Sequence, residues 1–208
     1  MNGERKHLSM IRTFTVADGV TMVNAACGTG AILASVRYAA THDGTFAWLA
    51  LALLPLALIA DVLDGWVARR TGRQSVLGAD LDSLADVISF GAAPAVLAFA
   101  LGLDGGWDTL ILVFFVACGI SRLARYNATH EQLAGSATGK VPYYEGTPIP
   151  TSLVLVLVLG IAFAMGRVEH DFWLGVIDLG PARLHPLALM FGLSGTAMVS
   201  ASLRIPKP

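Results

Sequence analysis

Long apolar runs are the feature that most constrains how this chain folds. Of its 208 residues, 55% are hydrophobic and only 14% are charged, whereas a soluble domain usually carries about 25% charged residues. Several runs approach or exceed the ~20 residues that cross a bilayer as a helix. We therefore predict an all-α polytopic membrane protein built as a single domain. Its predicted spans cover about residues 20–40, 46–70, 77–101, 109–127, 151–165 and 186–203.

The basic residues predict how these spans are oriented. Six spans over residues 15–208 place both termini on the same side of the membrane. Of the 14 lysines and arginines, only Arg37, Arg167 and Arg183 fall on the other side. Cytoplasmic loops are the ones enriched in lysine and arginine. We therefore expect an integral protein of the cell membrane with cytoplasmic termini, a cytoplasmic segment 1–14, and a polar cytoplasmic loop over residues 128–148.

Five aspartates lie between residues 61 and 86, in an otherwise very apolar chain. Asp61 and Asp64 are three apart and Asp82 and Asp86 are four apart, so each pair shares one face of a helix. A polar stretch at residues 69–73 predicts a turn between the two helices, which would bring four carboxylates together. Clustered carboxylates repel one another unless a positive charge lies among them. Oxygen ligands favour a hard divalent cation such as Mg²⁺ or Mn²⁺.

Two other interpretations of these carboxylates remain open. They could pair with Arg69, Arg70 and Arg73 at the membrane interface, which would account for one or two of them. They could also serve a cation transporter, since ionisable residues inside spans often mark ion pathways. Ion flux in liposomes without any lipid substrate would identify a transporter. Asn24, a polar amide inside the first predicted span, also needs a partner.

The spacing of these aspartates and of the small residues near them resembles a known signature. Asp61-x2-Asp64-Gly65-x2-Ala68-Arg69-x8-Gly78-x3-Asp82-x3-Asp86 is similar, at every defined position, to the motif of the CDP-alcohol phosphotransferase family. The six-span layout is also similar to that family. The resemblance implies an enzyme that uses a CDP-linked donor, displaces CMP and joins the substituted phosphate to an alcohol. It also implies a homodimer.

The same resemblance implies roles for individual residues. Asp61, Asp64 and Asp82 would be ligands of two divalent cations, and Asp86 would contact a cation and act as the general base. A metal-bound water could instead be the base. The donor nucleotide and its phosphates would bind at a set of small and polar residues, namely Gly65, Ala68, Arg69, Gly78 and Asn24.

Three further segments limit which alcohol is the acceptor. Residues 82–94, 122–127 and 146–150 resemble the phosphatidylserine synthase branch of the family, although Thr147 departs from that branch. This implies CDP-diacylglycerol as donor and L-serine as acceptor, giving phosphatidylserine and CMP. A serine carboxylate needs cationic or polar partners, and the candidates are Arg122, Arg125, Asn127 and Lys140. Glycerol phosphate or inositol phosphate remains an alternative acceptor within the family.

Overall fold

A computed structural model describes residues 15–71, 76–134, 143–200 and 204–206. The predicted α-helical membrane architecture is confirmed, and the structure is mostly helical. Within the described residues, four helices are long and apolar enough to cross a membrane, and two shorter apolar helices, Ile149–Ala164 and Pro186–Val199, correspond to the last two predicted spans. The α-helices are α1 (Val16–Thr41), α2 (Gly44–Thr71), α3 (Val76–Asp86), α4 (Ala93–Ala100), α5 (Gly106–Ala134), α6 (Leu153–Ala164) and α7 (Leu189–Val199).

The first two helices form a tight antiparallel pair. Thr15 and Asp18 close a capping box at the start of α1, and His42 ends it in the left-handed conformation with φ 51°. Asp43 then accepts the Thr45 backbone N–H at 2.9 Å, and this bond lowers the pKa of the Asp43 carboxyl. Buried alanines on both helices, Ala31, Ala34, Ala47, Ala50 and Ala57, line the contact. Small side chains allow such close approach.

A π-helical segment, Val87–Ala92, joins α3 to α4 in one continuous run. The backbone N–H of Ala93 donates to the Ile88 carbonyl, five residues earlier. Pro94 follows in the first turn of α4, where its missing N–H is tolerated. Such π segments occur often at functional sites. Here the segment begins directly after Asp86, at the end of the predicted carboxylate series.

The polar region after the fourth span differs from the sequence prediction. Helix α5 continues to Ala134, whereas a loop was expected from residue 128. Strand β1 (Tyr143–Glu145) then pairs antiparallel with β4 (Arg204–Pro206), and a second ladder joins β2 (Ile177–Leu179) to β3 (Ala182–Leu184). These segments were expected to be irregular loops. Strands of three residues are too short to show an alternating pattern, and a helix leaving the membrane no longer needs apolar side chains.

A buried polar cluster fixes the start of α5, at the end of the bundle opposite the β1–β4 ladder. Asp108 accepts the backbone N–H of Gly105 at 3.0 Å and that of His185 at 2.8 Å. Its carboxylate also lies 2.6 Å from Nδ1 of His185. Phe115 and Phe191 pack edge to face, with ring centroids 5.2 Å apart, where α5 lies along α7. These contacts hold α5 in place beside the rest of the bundle.

Candidate active site

The structure brings three of the predicted carboxylates together. One oxygen from each of Asp61, Asp64 and Asp82 lies within 4.8 Å of the other two. Asp61 and Asp64 come from the last turns of α2, and Asp82 comes from α3. Asp64 is buried and the other two are half-buried. Acidic groups at this separation destabilise one another unless a cation lies among them.

The cluster suits a divalent cation. All of its ligand atoms are carboxylate oxygens, which hard cations prefer. Within the described residues, Oδ1 of Asp82 is buried and has no hydrogen-bond partner. Buried polar atoms are rarely left without one, and an absent ion is one of the ordinary explanations. The residues present therefore fit the metal that the sequence predicts.

The predicted pairing of these carboxylates with Arg69 and Arg70 is not found, and Arg73 lies outside the described residues. In the described part of the chain, no ion pair joins Arg69 or Arg70 to the cluster. The Arg70 guanidinium instead lies 4.5 Å from the ring centroid of Trp66. Repulsion among the three carboxylates is therefore not relieved by these two arginines, which strengthens the case for a cation.

Asp86 lies one turn beyond Asp82, at the junction of α3 and the π-helical segment. It is buried, and its Oδ1 accepts a hydrogen bond from Nδ2 of Asn24 at 3.2 Å. Asn24 is fully buried in α1. Asp86, the predicted general base, is therefore the hydrogen-bond partner of the Asn24 amide.

Helix α1 contributes a second contact that the sequence did not indicate. The hydroxyl of Thr21 donates to Oδ2 of Asp64 at 2.7 Å. Thr21 is buried, and its oxygen also lies 3.1 Å from the carbonyl of Ala17 on its own helix. Threonine in an apolar helix normally bonds only to a carbonyl of its own helix, so the residues around Thr21 do not indicate a contact with Asp64. The spacing of Thr21 and Asn24, three apart, was the available clue.

A close backbone contact sets the register of α1 against the π-helical segment. The Ser89 hydroxyl donates to the backbone carbonyl of Asn24 at 2.9 Å. A Cβ atom on Gly28 would lie 2.7 Å from Cα of Ser89, closer than real Cβ contacts. Only glycine fits this position without movement. Asp86 therefore binds the side chain of Asn24, and Ser89 binds the backbone carbonyl of Asn24.

The residues predicted to bind the donor lie at the end of α2 and the start of α3, except Asn24, which lies on α1. A Cβ on Gly65 would come within 3.4 Å of Nη1 of Arg69, so the guanidinium lies over the bare backbone of Gly65. Ala68 is half-buried on α2, and Gly78 is half-buried on α3. Arg69 itself is exposed, so its guanidinium can reach an anionic group at this end of the helix pair.

The residues predicted to bind the acceptor lie on α5, except Lys140, which is outside the described residues. Nδ2 of Asn127 donates to the Ser83 hydroxyl at 3.0 Å, and that hydroxyl lies 3.2 Å from Oδ1 of Asn127. Because Ser83 directly follows Asp82 in the sequence, this contact brings the polar end of α5 close to the Asp82 backbone. Arg122 is half-buried and Arg125 is exposed on the preceding turns.

Comparisons with known proteins show which family the chain is similar to. The model of the CDP-alcohol phosphatidyltransferase family matches residues 14–192. The chain is 42% identical over 207 residues to the CDP-diacylglycerol–serine O-phosphatidyltransferase of Saccharomyces cerevisiae, covering 99% of this chain and 75% of that protein. It is 38% identical to the archaetidylserine synthase of Methanothermobacter thermautotrophicus, covering 75% of this chain and 60% of that protein.

A bacterial relative extends the same similarity. The CDP-diacylglycerol–serine O-phosphatidyltransferase of Helicobacter pylori is 37% identical over 155 residues, covering 70% of this chain and 61% of that protein. The chain therefore spans three quarters of the yeast protein and about three fifths of the archaeal and bacterial ones.

Proposed function

This chain belongs to the CDP-alcohol phosphatidyltransferase family, and we propose that it transfers the phosphatidyl group of CDP-diacylglycerol to the hydroxyl of L-serine. The products are phosphatidylserine and CMP. The observation that carries the proposal is the carboxylate cluster of Asp61, Asp64 and Asp82, with Asp86 one turn away. The choice of serine is supported by the 42% identity over nearly the whole chain to the yeast enzyme of that name.

In this reaction the serine hydroxyl oxygen attacks the phosphorus that bears diacylglycerol. A new P–O bond forms, the diphosphate bridge breaks, and CMP leaves with the bridging oxygen. Asp86 accepts the hydroxyl proton, because an alcohol is a weak nucleophile until a base within hydrogen-bond reach takes that proton. The bond from Asn24 leaves Asp86 with a second carboxylate oxygen for this purpose.

Asp61, Asp64 and Asp82, with Asp86, would hold two divalent cations, Mg²⁺ or Mn²⁺. When bound, such cations neutralise the diphosphate and the charge that develops on the departing phosphate. The guanidinium of Arg69 would contact the donor phosphates from the end of α2. Gly65, Ala68 and Gly78 would leave space for the nucleotide, since residues without large side chains let a ligand approach the helix backbone.

The acceptor would bind between α3 and α5. Arg125 and Arg122 are the candidates for the serine carboxylate, because a guanidinium binds a carboxylate through two parallel hydrogen bonds. Asn127 would shape the same region through its contact with Ser83. Lys140 is a further candidate from the sequence.

The environment of the site is part of the proposal. In the part of the chain that the structure describes, four helices have the length and apolarity of membrane spans. Apolar helices beside the cluster suit a donor with acyl chains. We propose a single catalytic domain over residues 1–208, with the site and both termini on the cytoplasmic side. Homodimer formation is likewise proposed, on family resemblance.

The decisive experiment is a transfer assay with purified protein. Radiolabelled L-serine and CDP-diacylglycerol are mixed with Mg²⁺ or Mn²⁺, and the lipid fraction is extracted and counted. We expect labelled phosphatidylserine that requires the cation. Glycerol phosphate and inositol phosphate, tested in parallel, should give little product. Product formed from either of them but not from serine would contradict the assignment.

A matched pair of variants on α3 tests the carboxylate cluster. Asp82→Asn should abolish transfer, because Asp82 lies in the cluster. Asp80→Asn should leave transfer unchanged, because Asp80 is exposed and lies outside that group. Equal losses in both variants would argue against a specific role for the cluster.

A further inference from the structure

Two side chains of α1 bind two carboxylates that come from different parts of the chain. Thr21 donates to Asp64 on α2 at 2.7 Å, and Asn24 donates to Asp86 at the end of α3 at 3.2 Å. All four residues are buried. We propose that α1 is the positioning element of the site: Thr21 orients the Asp64 carboxylate for the cation, and Asn24 orients Asp86 for the incoming hydroxyl. This inference rests on the proposed function.

The contact between Thr21 and Asp64 is shorter than the contact between Asn24 and Asp86. The threonine hydroxyl has one hydrogen and two acceptors within reach, the Asp64 carboxylate at 2.7 Å and the Ala17 carbonyl at 3.1 Å. The shorter distance falls in the range of hydrogen bonds to ionised oxygen. This bond fixes the rotation of the Asp64 carboxylate, and therefore the direction in which its oxygens face Asp61 and Asp82. Hydrogen bonds of this kind change how tightly the carboxylate binds a metal ion.

Asn24 is held in place on both sides. Its backbone carbonyl accepts the Ser89 hydroxyl at 2.9 Å, and its side chain reaches Asp86. The tight contact between Gly28 and Ser89 prevents α1 from sliding relative to the π-helical segment. Asn24 is therefore held against Asp86, and its amide binds one carboxylate oxygen and leaves the other for the incoming hydroxyl.

Thr21 has a natural control on the same helix. Ser35 is also buried, and its hydroxyl donates to the Ala31 carbonyl at 2.8 Å, four residues earlier. This copies the intrahelical contact of Thr21 with Ala17, and among the described residues no carboxylate is bonded to Ser35. Thr21→Val and Ser35→Ala therefore both remove a buried hydroxyl from α1, and only the first removes a contact with Asp64.

The experiment measures Mn²⁺ binding to the purified protein by electron paramagnetic resonance, with thermal unfolding in EDTA as a separate readout. We expect Thr21→Val to weaken Mn²⁺ affinity by about 10- to 100-fold, whereas Ser35→Ala leaves it unchanged. Thr21→Ser, which restores the hydroxyl, should recover most of the affinity. Added to Asp64→Asn, Thr21→Val should cause little further loss, because both act through one carboxylate.

Asn24 is tested by its effect on turnover. Asn24→Leu should lower kcat with serine by about 10-fold or more, while the KM for CDP-diacylglycerol stays within about twofold. If that variant does not fold, Asn24→Ser gives the same comparison. A raised KM for CDP-diacylglycerol with an unchanged kcat would assign Asn24 to the nucleotide site and overturn its positioning role.

The outcomes separate this inference from the proposed function. A wild-type protein that neither binds Mn²⁺ nor makes phosphatidylserine would overturn both. A wild-type protein that does both, with undiminished Mn²⁺ affinity in Thr21→Val, would overturn the role of Thr21 alone. Equal losses of unfolding temperature and Mn²⁺ affinity in Thr21→Val and Ser35→Ala would show a general packing effect and would also overturn it.

Discussion

Replacing Gly28 by alanine tests whether the approach of α1 to the π-helical segment maintains the site. A Cβ atom at this position would overlap the Ser89 side chain and would lie 2.7 Å from its Cα atom. Because one of these neighbours is backbone, a change of side-chain rotamer cannot relieve the overlap. We expect α1 and the π-helical segment to separate, which lengthens the bond from Ser89 to the Asn24 carbonyl.

The magnitude follows from three contributions. Overpacking of a tight contact costs about 1–3 kcal/mol, and the weakened Ser89 hydrogen bond costs about 1 kcal/mol. The better helix propensity of alanine offsets about 1 kcal/mol of this. The net loss is about 1–3 kcal/mol, which lowers the midpoint of thermal unfolding by roughly 3–10 °C for a chain of this size. Activity should fall further, because Asp86 moves with Asn24.

Gly19 provides the matched control. It lies on the same helix, and a Cβ at Gly19 would meet nothing within 4 Å. Gly19→Ala should therefore leave the Tm unchanged or raise it by a few degrees. Both variants are compared by thermal unfolding in one detergent and by transfer to radiolabelled serine, normalised to folded protein.

An unchanged Tm and full activity in Gly28→Ala would refute this reasoning. So would equal shifts in the two glycine variants, since that would mean that the effect comes from the backbone of α1 in general. A lowered Tm with full activity per folded molecule would show that the contact is structural and that Asn24 does not depend on it.

Three further perturbations probe other parts of the molecule. Asp86→Asn should abolish product formation while cation-dependent binding of CDP-diacylglycerol, measured by calorimetry, largely survives; loss of donor binding would argue against its role as base. Arg125→Ala should raise the KM for serine more than that for CDP-diacylglycerol, and equal increases would contradict carboxylate binding there. Asp108→Ala should destabilise the protein by about 1–3 kcal/mol in unfolding measurements, because the buried N–H groups of Gly105 and His185 lose their acceptor, whereas Asp104→Ala, at an exposed position in the same turn, should not.

The prediction that the carboxylates of each pair share one face of a helix was possible because it depends on local geometry. Spacings of three and four residues fix which side chains share a face, whatever the rest of the chain does. The apolar runs fixed the number and approximate position of the helices for a similar reason. Both predictions rest on interactions within about one turn or one span.

The contacts of α1 could not be predicted, because they join residues distant in sequence. Thr21 and Asp64 are separated by 43 positions, and Asn24 and Asp86 by 62. Which face of α1 meets α2 and α3 depends on packing of small residues around the whole helix, and α1 has no strongly apolar stripe to indicate it. The bond between Asp108 and His185, 77 positions apart, was missed for the same reason.

The last two apolar helices have a consequence for the surrounding lipid. The 12 residues of α6 and the 4-residue 3₁₀ turn before it span about 26 Å, and the 11 residues of α7 with its 3-residue turn span about 22 Å. The hydrocarbon core of a typical bilayer is about 30 Å thick. Hydrophobic mismatch of this sign is relieved by local thinning of the bilayer. We therefore expect the bilayer beside α6 and α7 to be thinner, which makes the thickness of the host membrane matter to this protein.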